Sequence, residues 1–411
     1  MRWGILGLSQ QAQAFAEALN SLSDEQLIAI AEQDETRLEE CLGHLGQVRG
    51  YNDYTELLTE ANVNAVYIGL PHYVHQQWIQ AAIQAGKHII CEAPLVTRLN
   101  EAEALYTASN EANVCLVESA PHHLHPATLG LQEVIKGQII GDIQAIQISF
   151  TITTEQRALM RKQAVWPRSA LLTMGYFMVT YARTLLGQAP EHVLASNHWI
   201  ANEFDETFTA SLEYANNVVA QLTCSTSDTT SQTIRVIGSD GVLEIDNFYQ
   251  VQAHDQMQIR VWRGINSTGY ETVTIAPANA LALEIQAFAT MIFEQEPYPV
   301  LSEQQQIETL DNIATIEALL ATTRGPSTGE RTMGERVCSV CAGEVRPVVL
   351  IEDHGPTIGE QPAAVAPGHA HRSLGIVYNE HYPTSATACT SCGHIDLWVD
   401  PQWAASLKAY D

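Results

Sequence analysis

Gly86-Lys87-His88-Ile89-Ile90-Cys91-Glu92-Ala93-Pro94-Leu95 is the stretch whose reading decides the fold. An apolar β-type run ends in a carboxylate, a small residue and a proline, so a buried strand gives way abruptly to a turn. Working outward, residues 2–118 repeat that unit. Strand-like runs fall at 3–7, 27–31, 65–70, 88–91 and 114–117. Helical spacing separates them at 10–19 (through Ala12, Phe15, Ala16 and Leu19), 34–42, 53–58, 75–85 and 100–112. Such alternation predicts a doubly wound parallel sheet, in which ligands bind beyond the carboxyl ends of the strands. The Glu92-Ala93-Pro94 turn lies at such an end.

The first strand–helix turn reads Gly7-Leu8-Ser9-Gln10-Gln11-Ala12. A dinucleotide fingerprint has glycine at its first two marked positions and a small residue at the third. Gly7 and Ala12 fit. Ser9 puts a Cβ where glycine is usual, although its hydroxyl could donate to a phosphate oxygen. Glu32 ends the next strand, where a carboxylate holds ribose hydroxyls and disfavours a 2′-phosphate. Gly7, Ser9, Gln10, Ala12 and Glu32 are therefore candidate nucleotide contacts, with NAD preferred over NADP. The alternative is an inherited fold that holds no nucleotide.

The second half changes character. β-type runs at 143–153, 208–214, 218–225, 233–237 and 242–245 are joined by turn signals at 215–217 and 238–241, and helical stretches at 283–293 and 303–321 follow. The expected order is α/β and then α+β.

Together, Gly4-Ile5-Leu6-Gly7, Ala65-Val66-Tyr67-Ile68 with Pro71 and His75, the 85–95 stretch, Gly137 with Gly141, the helix at 170–187 and Gly238-Ser239-Asp240-Gly241 resemble the Gfo/Idh/MocA family of NAD(P)-dependent oxidoreductases over residues 1–324. The resemblance implies a Rossmann domain at 1–120 and an α+β domain at 121–324, whose open mixed sheet mediates homo-oligomerisation. It also implies that Pro71, His72, Glu92 and residue 93 stand beside the cofactor, and that the substrate is a small hydroxyl or carbonyl compound. Three departures follow. The family's usual lysine after Glu92 is Ala93, and its aspartate and histidine, one helical turn apart, are Thr173 and Phe177. Lysine is scarce, at Lys87, Lys136, Lys162 and Lys408. Replacement proton carriers are sought in His122, His123 and His125, with Tyr176 and Lys162 weaker candidates. Helix capping or packing is the alternative for the histidines. A second functional reading is a catalytically silent scaffold or regulatory protein.

Residues 322–329 read as a linker. Beyond it, at 335–411, Cys338-x2-Cys341 and Cys389-x2-Cys392 resemble a zinc ribbon, with strands expected at 345–351, 375–378 and 395–399. Four thiolates would hold a structural zinc, and the ribbon would offer a protein-docking surface. The gap of 47 residues between the pairs (342–388) exceeds the usual ribbon spacing. The remaining cysteines, Cys41, Cys91, Cys115 and Cys224, read as buried free thiols.

With 20 basic against 47 acidic residues, the formal charge of −27 argues against nucleic-acid and acidic-membrane partners. No apolar run is long enough to span a bilayer, and a cytoplasmic protein is expected.

Overall fold

The computed structural model describes residues 1–45, 47–154, 169–200, 204–226, 231–249, 256–264, 269–294, 303–322, 345–348, 384–389 and 395–399. They fall into two units, Met1–Gly325 and Pro326–Asp411.

The first unit opens with a six-stranded, wholly parallel sheet. Its strands are β1 (Arg2–Leu6), β2 (Gln26–Ala31), β3 (Arg49–Tyr51), β4 (Ala65–Ile68), β5 (His88–Cys91) and β6 (Leu116–Glu118), in spatial order β3-β2-β1-β4-β5-β6. The order reverses between β1 and β4, and the crevice outside that switch point is where such sheets bind ligands. Both faces are covered, which is why the strands read as apolar runs. Trp3, Ile5, Tyr67 and Ile90 face α1 (Gln10–Asn20) and α2 (Glu35–Leu45). Leu6, Val66, Ile68 and Ile89 face α3 (Tyr54–Leu58), α4 (His75–Gln84) and α5 (Leu99–Glu111). Phe15 of α1 stacks on Tyr67 at 4.0 Å and meets Trp3 edge-on at 5.3 Å. The sequence reading missed only β3, a three-residue edge strand of Arg49, Gly50 and Tyr51 that carries no apolar run.

After α6 (Pro126–Lys136) comes an eight-stranded mixed sheet, β7 (Ile143–Thr151), β8 (His192–Ile200), β9 (Phe204–Glu213), β10 (Val219–Ser225), β11 (Ser231–Gly238), β12 (Gly241–Asp246), β13 (Met257–Arg263) and β14 (Glu271–Ile275). The order is β14-β13-β12-β11-β7-β10-β9-β8, with β7 and β10 parallel and all other neighbours antiparallel. One face packs on α6, a π-type turn at Leu171–Gly175 and its continuation α7 (Tyr176–Leu186). The other carries the polar alternates, Gln147, Gln221 and Arg235 among them. β8, β13 and β14 were not foreseen.

Two further helices close the unit. α8 (Ala280–Glu294) lays Ile285 and Phe288 against α1, in the core beneath Trp3. α9 (Glu303–Thr322) places Ile313 in the core of the parallel sheet and Ile316 and Leu319 in that of the mixed sheet. Glu317 accepts the Leu99 amide at 3.0 Å, and Asp311 pairs with Arg183 of α7 at 3.0 Å.

In the second unit β15 (Val345–Val348), β16 (Thr384–Cys389) and β17 (Ile395–Val399) form an antiparallel sheet. Its middle strand is 384–389, whereas 375–378 was expected. That earlier segment, with Cys338, Cys341 and Cys392, lies outside the described residues. Of the proposed zinc ligands only Cys389 falls within them, at the end of β16. Among the described residues no cluster of three metal-binding side chains occurs. No described helix is long and apolar enough to cross a membrane.

Candidate active site

The crevice is built first by the turn after β1. Gly7 has φ +83°, and a Cβ there would lie 2.6 Å from the Gly69 carbonyl oxygen, so no larger residue fits this bend. Ser9 is the N-cap of α1: its hydroxyl accepts the Ala12 amide at 2.8 Å and donates to Glu92 Oε1. The Ser9 side chain is thus turned inward rather than toward the mouth of the turn. Helix geometry leaves the first-turn amides without intrahelical partners, at the positive end of the helix dipole. Gln10 stands exposed there. Glu32 is buried just past β2. It accepts the Leu8 amide at 3.0 Å and the Asp34 amide at 3.2 Å, and pairs with Arg37 at 3.3 Å. Arg37 in turn donates to the Leu8 carbonyl, so the pair clamps the turn from both sides.

The ends of β4 and β5 form the opposite wall. Glu92 Oε1 receives Ser9 and, at 3.3 Å, the Tyr67 hydroxyl. Burial pushes this carboxyl up to about 7, with the Ser9 and Tyr67 hydrogen bonds opposing. Gly69 makes the meeting possible, because a Cβ there would stand 2.6 Å from that of Ala12 and 3.0 Å from both Ser9 Oγ and Glu92 Oε1. Pro71 and His72 follow, both half-buried, and burial with the neighbouring His75 lowers His72 to about 4. His75 is fully enclosed. Its Nε2 lies 2.7 Å from the Leu70 carbonyl, and its Nδ1 lies 3.0 and 3.2 Å from those of Pro94 and Leu95. A neutral ring has one N–H, so it donates either to the loop after β4 or to the turn after β5 while filling the space between them.

That turn, with a cis Ala93–Pro94 bond, meets the second domain. Ala93, Leu172, Phe177 and Tyr249 are half-buried against the core of the mixed sheet. Phe177 and Tyr249 touch edge-to-face at 4.8 Å, and Tyr249 lies 4.6 Å from Phe150. Thr173 donates to the Ser169 carbonyl at 2.7 Å, the back-bonding expected of a threonine inside a helix. Neither Thr173 nor Phe177 offers a group that titrates near neutral pH. Lys87 is at the other end of β5, its ammonium bonded to the carbonyls of Glu60 and Val63 at 2.9 and 2.8 Å. Lys162 lies outside the described residues.

Behind this wall sits a buried acid layer. Glu118, at the end of β6, accepts the Leu95 amide at 2.6 Å and the Tyr176 hydroxyl at 2.7 Å. Glu284 accepts the Ser119 hydroxyl at 2.9 Å and the Ala120 amide at 2.6 Å. Burial pushes both carboxyls up to about 7. Tyr176 is raised well above its ordinary value, by burial first and then by Glu118.

His122 and His123 pack onto α7. His122 Nε2 lies 3.1 Å from the Thr180 hydroxyl, and His123 Nε2 lies 2.8 Å from that of Thr184. Burial lowers His123 to about 4 and His122 well below its ordinary value, so both are neutral at pH 7. His125 caps α6 through Nδ1, accepting the Ala127 amide at 3.1 Å. The fold therefore gathers Gly7, Ser9, Gln10, Ala12, Glu32, Pro71, His72, Glu92 and Ala93 around one crevice. His122, His123 and Tyr176 are tied to partners on the elements behind it.

Sequence reading overlooked Arg37, Tyr67, Glu118, Glu284 and Tyr249. Glu118 was legible in principle, since it ends an apolar strand as Glu92 does. Glu284 is a lone charge in the apolar run Leu281-Ala282-Leu283-Glu284-Ile285. Tyr249 had no local signal, because only the tertiary fold brings it to Phe177.

Comparison with known proteins agrees with this geometry. Residues 1–119 match the model of an oxidoreductase family with an NAD-binding Rossmann fold, and residues 128–244 match the GFO/IDH/MocA C-terminal domain. A trans-1,2-dihydrobenzene-1,2-diol dehydrogenase of Mus musculus is 29% identical over 254 residues, 61% of this chain and 75% of its own. A D-xylose 1-dehydrogenase (NADP(+)) of Haloferax volcanii is 26% identical over 318 residues, 77% of this chain and 96% of its own. A 3-ketoreductase of Actinomadura kijaniata, solved with NADP and TDP-benzene, superposes with a TM-score of 0.72 at 25% identity, covering 79% of this chain and 98% of that one. A variant of that ketoreductase with a lysine replaced by alanine was also solved with both ligands.

Proposed function

Residues 1–244 belong to the Gfo/Idh/MocA family of NAD(P)-dependent oxidoreductases, and on that footing we propose that the protein transfers hydride between a nicotinamide cofactor and a small hydroxyl or carbonyl compound, through an active site that differs from the family pattern. The observation that carries the reading is the preserved crevice. Gly7 keeps its positive φ, α1 presents its N-terminus, and Ser9, Tyr67 and Glu92 lock the two walls together. A pyrophosphate fits the first turn of α1, at Ser9 and Gln10, by the ordinary chemistry of helix N-termini. Glu32 stands where ribose hydroxyls are held, and its charge opposes a 2′-phosphate, which favours NAD even though named relatives take NADP. The cofactor supplies the hydride. Pro71, His72, Glu92 and Ala93 shape the wall on which the reacting ring would rest. His122, His123 and Tyr176 position α7 against that wall through Thr180, Thr184 and Glu118.

The open face of the mixed sheet supports homo-oligomerisation. Ala145, Val219, Ile237, Val242, Trp262 and Tyr270 form a continuous apolar row across six strands or strand ends. The second reading, a catalytically silent scaffold, rests on Ala93, Thr173 and Phe177. Incubation with 4-deuterated NADH and a panel of aldehydes, ketones and sugars separates the two. Deuterium in a reduced product is expected, whereas unchanged substrates throughout the panel would leave only the scaffold.

A further inference from the structure

Among the described residues, the wall where the family carries lysine, aspartate and histidine is apolar and aromatic but for the hydroxyls of Tyr249 and of Thr173, the latter bonded to the Ser169 carbonyl. Ala93, Leu172 and Phe177 offer no hydrogen bond. Phe177 presents ring surface, and Tyr249 meets it edge-on at 4.8 Å while resting on the buried Phe150 at 4.6 Å. The placement of Tyr249 is fixed by its neighbours. Asn247 turns the chain out of β12 with φ +55°, the adjacent Phe248 is buried against Phe150 and Tyr181, and Tyr181 donates to the Phe248 carbonyl at 3.3 Å. Its half-buried ring packs on the core of the mixed sheet, edge-on to Phe177. It also lies within electrostatic range of the Glu92 carboxylate, and burial with that charge pushes it up to about 12. It is thus protonated at working pH.

Resting on the oxidoreductase reading above, we propose that Tyr249 is the catalytic proton donor of this site, acting on a carbonyl carried by a flat apolar group that lies against Phe177. In the reducing direction hydride adds to the carbonyl carbon, the C=O π bond breaks toward oxygen, and that oxygen takes the Tyr249 proton. The phenolate regains a proton from water. A carbonyl, one reduced nicotinamide and one proton give an alcohol and the oxidised nicotinamide. Sugars, which need several polar partners, suit this wall poorly.

The test is Tyr249→Phe, assayed with benzaldehyde and acetophenone against D-xylose in the presence of NADH or NADPH. The wild type should reduce the aryl carbonyls in preference to the sugar. The variant should lose about 10²-fold or more in kcat while its NADH affinity, read by fluorescence, stays within about twofold. An active wild type with an equally active variant would overturn the role of Tyr249 and leave the oxidoreductase reading intact. A wild type that binds NADH but reduces no carbonyl would overturn both. A cofactor-free check uses 3-fluorotyrosine-labelled protein, with the resonance assigned by its loss in Tyr249→Phe. Glu92→Gln should lower the pH at which that resonance titrates, and an unmoved titration would remove Glu92 as the coupled group.

Discussion

Glu118 and Glu284, buried, and Glu92, half-buried, are three carboxyls with different tasks and one shared cause for their raised values, the cost of desolvating their charge. Each has a folded pKa of about 7 against an ordinary 4.5. Between those values the folded chain binds more protons than the unfolded one, so stability falls as pH rises through the window. His122 and His123 act in the opposite sense, since their depressed values cost stability as pH falls below the ordinary 6.5. The carboxylate effect is therefore read by difference. Glu284→Gln is expected to gain in Tm relative to the wild type between pH 5 and pH 8, and a constant offset would show that Glu284 titrates normally. Residue roles were unevenly legible. The sequence marks Glu92 because it sits between an apolar run and a proline, and it marks Gly7 and Ser9 because they follow a strand. It could not show that Ser9 turns inward to Glu92, since that needs Gly69 to bring three segments within a hydrogen bond of one another. Nor could it place Tyr249, whose partners are roughly 70 and 100 residues away in sequence.

At the level of elements, periodicity recovered the parallel strands and their helices because burial on both faces leaves an unbroken apolar record. The mixed sheet records only alternation, and its edges record little. β8 presents His192, Leu194, Ser196 and His198 on exposed positions, so half of its residues look like a loop. α7 was legible as a helix, but not its π-type first turn, which lies at the pocket where such irregularities collect. The outward row of the mixed sheet carries a prediction at this scale. Trp262 pairs with Val242 across β12 and β13 and meets Tyr270, which is 55% exposed, in a tilted ring contact at 5.1 Å. A charge there disturbs only the outer face. Trp262→Arg should keep its melting temperature within a few degrees and lower the mass seen by light scattering to that of the monomer. A wild type that is already monomeric at micromolar concentration would contradict the interface.

Across the whole molecule, the two domains of the first unit are joined as one body by α9, whose Ile313 and Ile316 enter different cores, and by Tyr176 reaching Glu118. Interdomain ties hold Ala93 opposite Phe177 and Tyr249, even though the family's proton carriers are absent. A charge of −27 sets this chain apart from phosphate-backbone binders, yet one phosphate group is still favoured locally, where α1 turns its N-terminus to the crevice. The central claim is that this crevice remains a working nucleotide site. Titration of the purified full chain with NADH and NADPH, followed by nicotinamide fluorescence and melting temperature, tests it without knowledge of the substrate. Saturable enhancement and a raised Tm with both are expected, with NADH the tighter because of Glu32. No response to either nucleotide would contradict the account.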